Sequence, residues 1–250
     1  MKRPSLRVRV LKCGSCKVRQ DVVFQNGSCE IATPFNIYVF LIEGGDAPMI
    51  VDTGPRKLEQ FNRGTASYIP GGIVQSPEEQ TLAQLENVGV APEDVSHVFV
   101  THLHGDHYDG YPWFPNATLV VNDRGFRAGL LGVDADVMRA LAARWPQSLR
   151  LVENEEVVPG VETVWVGGHS LCSQAVVVHT DVGRIVLCGD AAYLYANLEQ
   201  NIGIGWIPPA DAQAALDRLR AAGDVLVPGH DPLILERFPS GEIGRGKCEM

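Results

Sequence analysis

The chain has 250 residues, of which 45% are hydrophobic and 20% are charged, values typical of a soluble globular protein with a substantial core. Its formal net charge of −9 argues against a general binder of nucleic acids or anionic membranes, because phosphate surfaces repel such a chain. The length fits a single domain, residues 1–250.

The N-terminal stretch MKRPSLRVRVLKCGSC has basic side chains but no apolar run of signal-peptide length. No stretch approaches the roughly 18 apolar residues of a membrane span. We therefore expect a cytoplasmic protein. Cys13 and Cys16 have zinc-knuckle spacing, but a structural zinc site needs a second pair and only Cys29 lies near. We interpret them as free thiols around a strand and a turn.

Short apolar runs that alternate with polar residues, or are rich in β-branched residues, predict the strands. In chain order they lie at 6–11, 36–42, 48–51, 97–100, 118–121, 163–166, 175–179, 184–188 and 224–227. Helices are predicted at 77–88, 134–144 and 211–222. The first helix has Ser76 as N-cap, Pro77 at its first position and Glu79 at its third. This order of strands and covering helices indicates a layered α/β sandwich.

The motif THLHGDHYDG directly follows a predicted strand. His102 and His104 are two residues apart, so in an extended segment they point the same way and can hold one cation. Asp106 and His107 come after Gly105, whose freedom in φ lets the backbone turn back and aim a second pair at an adjacent position. Without thiolates, such a set suits zinc, iron, manganese or cobalt rather than a structural zinc finger.

Three further residues of ligand type stand just beyond predicted strands and next to a glycine. They are His169, Asp190 and His230. Five of the seven histidines belong to this pattern, which makes a metal-free loop a poor explanation of the motif. The other two, His97 and His179, lie within strand runs, and we interpret them as packed or surface residues.

This motif order resembles that of the metallo-β-lactamase superfamily, and Val51-Asp52-Thr53-Gly54 looks like the early Asp-containing turn of that family. The resemblance covers nearly the whole chain. It implies a four-layer αββα sandwich with two divalent metal ions at one edge of the two sheets, zinc being the first choice and manganese, iron or cobalt the alternatives.

By motif position, the resemblance assigns one cation to His102, His104 and His169. It assigns the other cation to Asp106, His107 and His230, with Asp190 bridging the two. Asp52 would orient the loop from outside the ligand set.

Two cations about 3.5–4 Å apart share one water and lower its pKa toward about 7, and the resulting hydroxide attacks an electrophilic carbon. Asp106, or the bridging Asp190, would carry the proton to the leaving group. This chemistry suits esters, thioesters, lactones, β-lactams and phosphodiesters alike. A non-catalytic metal-binding module would have lost ligands, and here none is missing.

Tyr193 stands three residues beyond Asp190, and this spacing, with Asn197-Leu-Glu199 after it, resembles the N-acyl-homoserine lactonase branch. In that branch a tyrosine hydrogen-bonds the lactone carbonyl or its developing oxyanion. The alternative for Tyr193 is packing of its loop onto the sheet. Our lead hypothesis is therefore a quorum-quenching lactonase. The alternatives are a hydrolase of a catabolic lactone such as a pyridoxolactone, of a cyclic amide, or of a glyoxalase II-type thioester.

The pocket is the place where the chain departs from that family. The family usually has a bulky residue where Gly105 stands and a Gly-Gly pair where Asp109-Gly110 stands, so Gly105 is expected to open space. The segment 61–75 is either a flap that presents Tyr68 and Ile69 to an apolar substrate or an ordinary connection.

Trp206-Ile-Pro-Pro is interpreted as the approach to the helix 211–222, with a pocket wall as the alternative. As partners we expect a small-molecule substrate, no nucleic acid and no membrane. A homodimer is left open.

Overall fold

The computed structural model describes residues 5–130, 135–143 and 147–244. Within them the strands are β1 (Arg7–Arg19), β2 (Ala32–Glu43), β3 (Met49–Val51), β4 (His97–Phe99), β5 (Thr118–Asn122), β6 (Leu149–Val152), β7 (Glu155–Val158), β8 (Val161–Trp165), β9 (Gln174–Thr180), β10 (Gly183–Leu187), β11 (Val225–Val227) and β12 (Glu242–Ile243).

The helices of the described residues are α1 (Gln20–Val23), α2 (Leu58–Thr65), α3 (Thr81–Asn87), α4 (Gly105–Tyr108), α5 (Asp123–Gly129), α6 (Ala135–Ala142), α7 (Tyr195–Glu199), α8 (Pro209–Ala222) and α9 (Leu233–Arg237). Short 3-10 turns lie at Pro77–Glu79, Pro92–Asp94, Tyr111–Trp113 and Gly189–Ala191. None of the helices in these parts of the chain is long and apolar enough to cross a membrane.

Two sheets form the centre of the fold. The larger has the strand order β12-β1-β2-β3-β4-β5-β6, and the smaller has the order β11-β10-β9-β8-β7. Strands β3 to β6 run parallel to one another, and β10 runs parallel to β11. Buried side chains of both sheets, Val8 and Phe40 from one and Val176 and Val178 from the other, share one apolar core.

Helices cover the outer faces of this sandwich. Leu216 and Leu219 of α8 belong to the core that contains the smaller sheet, whereas Leu85 of α3 and Phe126 of α5 pack in a second core with the larger one. The αββα arrangement confirms the predicted fold class. Helices on both sides of paired sheets are the layered solution that such amphipathic elements favour.

The predicted strands are all present, with ends that shift by a few residues. The largest difference is at β1, which continues to Arg19. Its pairing with β2 shifts register between Lys12 and Ser15 and then resumes, so the strand does not end there. Gly14 lies at that shift, with φ +134°. The short strands β6, β7 and β12 were not predicted.

The helix predicted over 77–88 is wrong in its first turn. Pro77–Glu79 form a 3-10 turn, Gln80 is extended with ψ 139°, and α3 begins only at Thr81. The predicted capping box exists, since Glu79 accepts a hydrogen bond from the Ser76 N–H at 3.0 Å. The same carboxylate pairs with Lys12 Nζ at 2.6 Å, which ties this turn to β1.

The other two predicted helices agree better. The helix 211–222 corresponds to α8, which begins at Pro209. Of the segment 134–144, the part over 135–142 is α6, while its predicted start at Asp134 lies outside the described residues.

Candidate metal centre

Seven side chains meet where loops leave the carboxyl ends of strands from both sheets. The ligand atoms of one group lie within 4.8 Å of one another, as do those of a second group. The first group is His102, His104, His169 and Asp190, and the second is Asp106, His107 and His230. These are the seven residues that the sequence motifs predicted as ligands.

Asp190 lies between the two groups and turns one oxygen to each. Its Oδ2 is 3.5 Å from Nε2 of both His102 and His169. Its Oδ1 is 2.9 Å from Nε2 of His230 and 3.3 Å from Nε2 of His107. A carboxylate placed in this way is able to bridge two cations.

Gly189 lets the carboxylate of Asp190 reach its place between the two groups. It has φ +52°, and a side chain there would meet Thr101, whose Cβ lies 2.7 Å from the place of the missing Cβ. The close approach brings the loop of the smaller sheet against that of the larger one.

Hydrogen bonds outside the cluster fix the orientation of two second-group histidines. The Nδ1–H of His107 donates to Oδ2 of Asp52 at 2.8 Å, and the Nδ1–H of His230 donates to the carbonyl of Asn36 at 2.8 Å. With the proton on Nδ1, each ring directs the lone pair of Nε2 into the cluster. This pattern is usual for metal-binding histidines.

The first-group histidines have comparable partners. Nδ1 of His102 lies 3.2 Å from Oγ1 of Thr101, which itself donates to Asp52. Nδ1 of His169 lies 3.1 Å from the phenol oxygen of Tyr193. His104 differs, because its Nδ1 faces the cluster, 2.9 Å from Nε2 of His169.

Two buried atoms support a cation in this place. Within the part of the chain that the structure describes, Nε2 of His102 and Nε2 of His107 have no hydrogen-bond partner, although both residues are almost wholly buried. An unsatisfied buried polar atom costs about 1–3 kcal/mol, which coordination to a metal would relieve. The imidazole and carboxylate donors fit zinc, iron, manganese or cobalt.

The electrostatics of the cluster differ between its two halves. Burial lowers the pKa of His169 to about 3 and that of His102 well below its usual value, so both rings are neutral. Burial also opposes charge on His107 and His230, but the carboxylates of Asp106 and Asp190 outweigh it and raise both pKa values. The second half therefore attracts positive charge.

Asp52 supports the centre from the turn after β3. It has φ +62°, a conformation that few residues other than glycine adopt. Its carboxylate holds the turn by accepting hydrogen bonds from the N–H and the Oγ1–H of Thr101, each at 2.8 Å, besides that from His107. The prediction that Asp52 orients the ligand loop agrees with this geometry.

A cavity of about 840 Å³ opens onto the centre. His104, Asp106, His169, Asp190 and His230 stand at one part of its wall. Elsewhere the wall is mostly apolar, with Val18, Phe35, Ile37, Phe61, Ile69 and Trp206. Such a cavity suits a small molecule that presents a polar group to the centre and an apolar part to the wall.

Tyr193 joins the centre to this wall. Its phenol oxygen accepts a hydrogen bond from Nε1–H of Trp206 at 3.2 Å and lies 3.1 Å from Nδ1 of His169. If His169 bound a cation through Nε2, its Nδ1–H would donate to the same oxygen, and the phenol proton would be left to donate into the cavity. Burial raises the pKa of Tyr193 well above the usual value, which keeps that proton in place.

Trp206 corrects one interpretation of the sequence. It precedes α8 as expected, but its indole also lines the cavity and contacts Tyr193, so the pocket-wall alternative is the right one. The segment 61–75 contributes Phe61, Tyr68 and Ile69 to the same wall, which supports the flap interpretation.

The expected role of Gly105 as a hinge is wrong. Gly105 is the first residue of α4 and has no positive φ, so a short helix makes the reversal that aims Asp106 and His107. The space beside Gly105 is also filled: a Cβ there would lie 3.1 Å from Cδ2 of Phe61. A ring from α2 thus occupies the place in which a larger residue at 105 would pack.

The remaining predicted features take structural positions. Cys13 and Cys16 are free thiols within β1, and burial raises the pKa of each to about 12. His97 lies half-buried in β4, and His179 in β9 is hydrogen-bonded through Nε2 to the carboxylate of Glu162.

Comparison with known proteins identifies the family of this chain. The sequence profile of the Metallo-beta-lactamase superfamily matches residues 32–230. An N-acyl homoserine lactonase of Bacillus thuringiensis is 27% identical over 190 residues, which cover 74% of this chain and 75% of the relative. The N-acyl homoserine lactonase AttM of Azorhizobium caulinodans is 29% identical over 253 residues, covering 91% of this chain and 94% of AttM.

Solved structures show the same fold. An N-acyl homoserine lactone hydrolase, with the product N-hexanoyl-L-homoserine bound at its catalytic metal center, superposes with a TM-score of 0.79 at 22% identity. The superposition covers 94% of this chain and 96% of that one. Since the family profile spans most of the chain and includes every candidate ligand, the protein belongs to the metallo-beta-lactamase superfamily.

Proposed function

We propose that this protein is a dinuclear metal-dependent hydrolase that opens lactone rings, with N-acyl-homoserine lactones as its first substrates. The single observation that carries the proposal is the phenol of Tyr193, held beside His169 and directed into a largely apolar cavity. Relatives that are N-acyl homoserine lactonases support it, since they match most of the chain.

The ligand assignment is part of this proposal. His102, His104 and His169 would hold one cation, and Asp106, His107 and His230 the other. Asp190, with one oxygen toward each group, would bridge them. When bound, two divalent cations would lower the pKa of water and polarise a carbonyl group. We place zinc first, with manganese, iron and cobalt as alternatives.

Tyr193 would bind the carbonyl oxygen of the ring. With the His169 proton on Nδ1, the phenol would accept from both His169 and Trp206 and keep its own proton for the substrate. A donor that is already in place stabilises an oxyanion without reorganising. Trp206 and His169 thus act as positioning residues for the phenol.

Asp106 is our candidate for proton transfer, with Asp190 as the alternative. The carboxylate of Asp106 borders the cavity, and one of its oxygens, Oδ2, lies 3.4 Å from Nε2 of His107. The other oxygen of Asp106 would take a proton from the attacking water. It would then pass this proton to the ring oxygen, which leaves as an alcohol when the bond between the carbonyl carbon and the ring oxygen breaks. The apolar wall would receive the acyl chain, away from this transfer.

The test is turnover of a substrate panel. The protein, purified with zinc, manganese or cobalt, is given N-acyl-homoserine lactones, other lactones, thioesters, cyclic amides and cephalosporins. Proton release is recorded for the lactones and thioesters, and chromatography of the products for the cyclic amides and cephalosporins. We expect lactones, and N-acyl-homoserine lactones among them, to have the highest kcat/KM. Turnover of a thioester or a cyclic amide without any lactone would exclude the lactonase and leave the metallohydrolase.

A quorum-quenching role is a further part of the proposal. It predicts that the purified protein removes the signal of an N-acyl-homoserine lactone reporter strain, and that acidification restores the signal by closing the ring again. A signal that acid does not restore would point to a different chemistry, such as cleavage of the amide.

A further inference from the structure

Tyr68 is a second phenol of the cavity, and neither the ligand set nor the proposed chemistry uses it. It lies just after α2 and lines the same wall as Tyr193 and Trp206. It is 37% exposed, and its phenol oxygen has no hydrogen bond to any residue within the described ranges. The hydroxyl is therefore available to a molecule in the cavity.

The backbone around Tyr68 is held firmly. Its carbonyl accepts a hydrogen bond from the N–H of Arg19 at 2.9 Å, and the carbonyl of Ser67 accepts one from Nη1 of Arg19, also at 2.9 Å. The guanidinium is in turn fixed by the carboxylate of Asp21. On the other side, Ile69 is buried in the same apolar cluster as Tyr193. The backbone of Tyr68 is thus anchored at this part of the wall.

That place lies within electrostatic reach of the metal centre. Burial raises the pKa of Tyr68, and the carboxylates of Asp106 and Asp190 raise it further. The phenol also acts on Tyr193, whose pKa it helps to raise. At neutral pH the cavity therefore offers two protonated phenols near the same two carboxylates.

We propose that Tyr68 is a specificity-determining residue whose phenol donates a hydrogen bond to a second acceptor of the substrate, a carbonyl group outside the lactone ring. This inference rests on the proposed lactonase function. Tyr193 and the centre engage the ring, so a contact at Tyr68 requires an acceptor attached to it. An exocyclic amide or ester carbonyl meets this requirement, whereas a plain alkyl chain leaves the hydroxyl without a partner at that point of the wall.

The preferred class is thus a lactone with an acyl-amide substituent rather than a γ-alkyl lactone of similar length. The test compares N-hexanoyl-homoserine lactone with γ-nonalactone in the wild type and in Tyr68→Phe. For the amide-bearing substrate we expect KM to rise threefold to tenfold, roughly the effect of one neutral hydrogen bond, with kcat little changed. For γ-nonalactone we expect both constants to stay within twofold.

Tyr111→Phe is the matched control, since the Tyr111 ring stacks on Tyr108 and does not line the cavity. It should leave both substrates unaffected. A wild type that turns over no lactone overturns the proposed function, and this inference with it. Active lactone turnover with equal effects of Tyr68→Phe on the two substrates, or with no effect on either, overturns only the role of Tyr68. The melting temperatures of both variants and the wild type show whether folding contributes.

Discussion

The carboxylate of Asp52 accepts a hydrogen bond from Nδ1 of His107, with Oδ2 and Nδ1 2.8 Å apart. This contact joins the turn after β3 to the helix α4. It places the proton of the imidazole on Nδ1 and leaves Nε2, which has no hydrogen-bond partner among the described residues, to face Asp106 and Asp190. A residue outside the candidate ligand set thus orients one of its histidines as metal binding would require.

Asp52→Asn should weaken the binding of the cation at Asp106, His107 and His230 by about 10- to 100-fold. Asparagine tolerates the left-handed φ of this position, so the turn is kept while the negative charge behind His107 is lost. Competition with a chelator measures the affinity. Asp94→Asn, at an exposed aspartate, is the control. Unchanged affinity in Asp52→Asn would mean that the carboxylate holds only the turn.

His169→Ala should lower the metal content well below two ions per chain. The residue supplies one of the ligand atoms of the first group, and its loss leaves His102 and His104 with the shared Asp190. The measurement is metal content by atomic emission after dialysis. His97→Gln is the matched control because His97 lies in β4 and outside both groups. An unchanged content in His169→Ala would contradict the ligand scheme.

The two halves of the centre should lose their cations at different pH values. His107 and His230 have raised pKa values, so each must release a proton before a cation binds, and binding weakens as the pH falls through those values. His102 and His169 have lowered pKa values, so protons compete with the first cation only at lower pH.

Two variants that each keep one half test this order. His169→Ala retains the group of Asp106, His107 and His230, while His230→Ala retains the group of His102, His104 and His169. With cobalt as the probe, the visible absorption of His169→Ala should disappear at a higher pH than that of His230→Ala. The reverse order would show that the carboxylates do not govern proton competition here.

Tyr193→Phe should lower kcat for lactones by about one to two orders of magnitude, the weaker end of the effect of a lost oxyanion donor. The substitution removes only the hydroxyl, which accepts from Trp206, contacts Nδ1 of His169 and would donate into the cavity. The metal content should stay at the wild-type value, which separates this effect from loss of a cation. Unchanged kcat would return Tyr193 to a packing role.

The ligand residues were predictable because each one follows an apolar strand, and strand ends from both sheets meet at one edge of the sandwich. The hydrogen bonds that orient these residues could be predicted less well. The partner of His230 is the backbone carbonyl of Asn36, and a carbonyl carries no residue-type signal. Thr101 opens the motif THLHGDHYDG, but its hydroxyl gains a role only when the turn at Asp52 is brought beside it.

Trp206 and Phe61 show the same limit in the cavity. The indole reaches Tyr193 only because the approach to α8 folds over the centre. Phe61 fills the space at Gly105 although the two residues lie on different helices, and no local pattern connects them. Such contacts depend on how elements pack, whereas the ligand motifs depend on how a single strand ends.

Gly105→Ala and Phe61→Ala should therefore be coupled in their effects on stability. Gly105 is the first residue of a short helix, so alanine there gains part of the roughly 1 kcal/mol of helix propensity that it gains over glycine in a helix interior. With Phe61 present, the new methyl group would lie 3.1 Å from its ring and offset this gain. In the Phe61→Ala background the gain should appear in full as a higher free energy of unfolding by urea, and additive effects of the two substitutions would contradict the contact. The Phe61→Ala substitution should also change the substrate range. Because Phe61 lines the cavity, removal of its ring leaves more room beside the centre, and kcat/KM for lactones with bulky acyl groups should rise relative to that for N-hexanoyl-homoserine lactone.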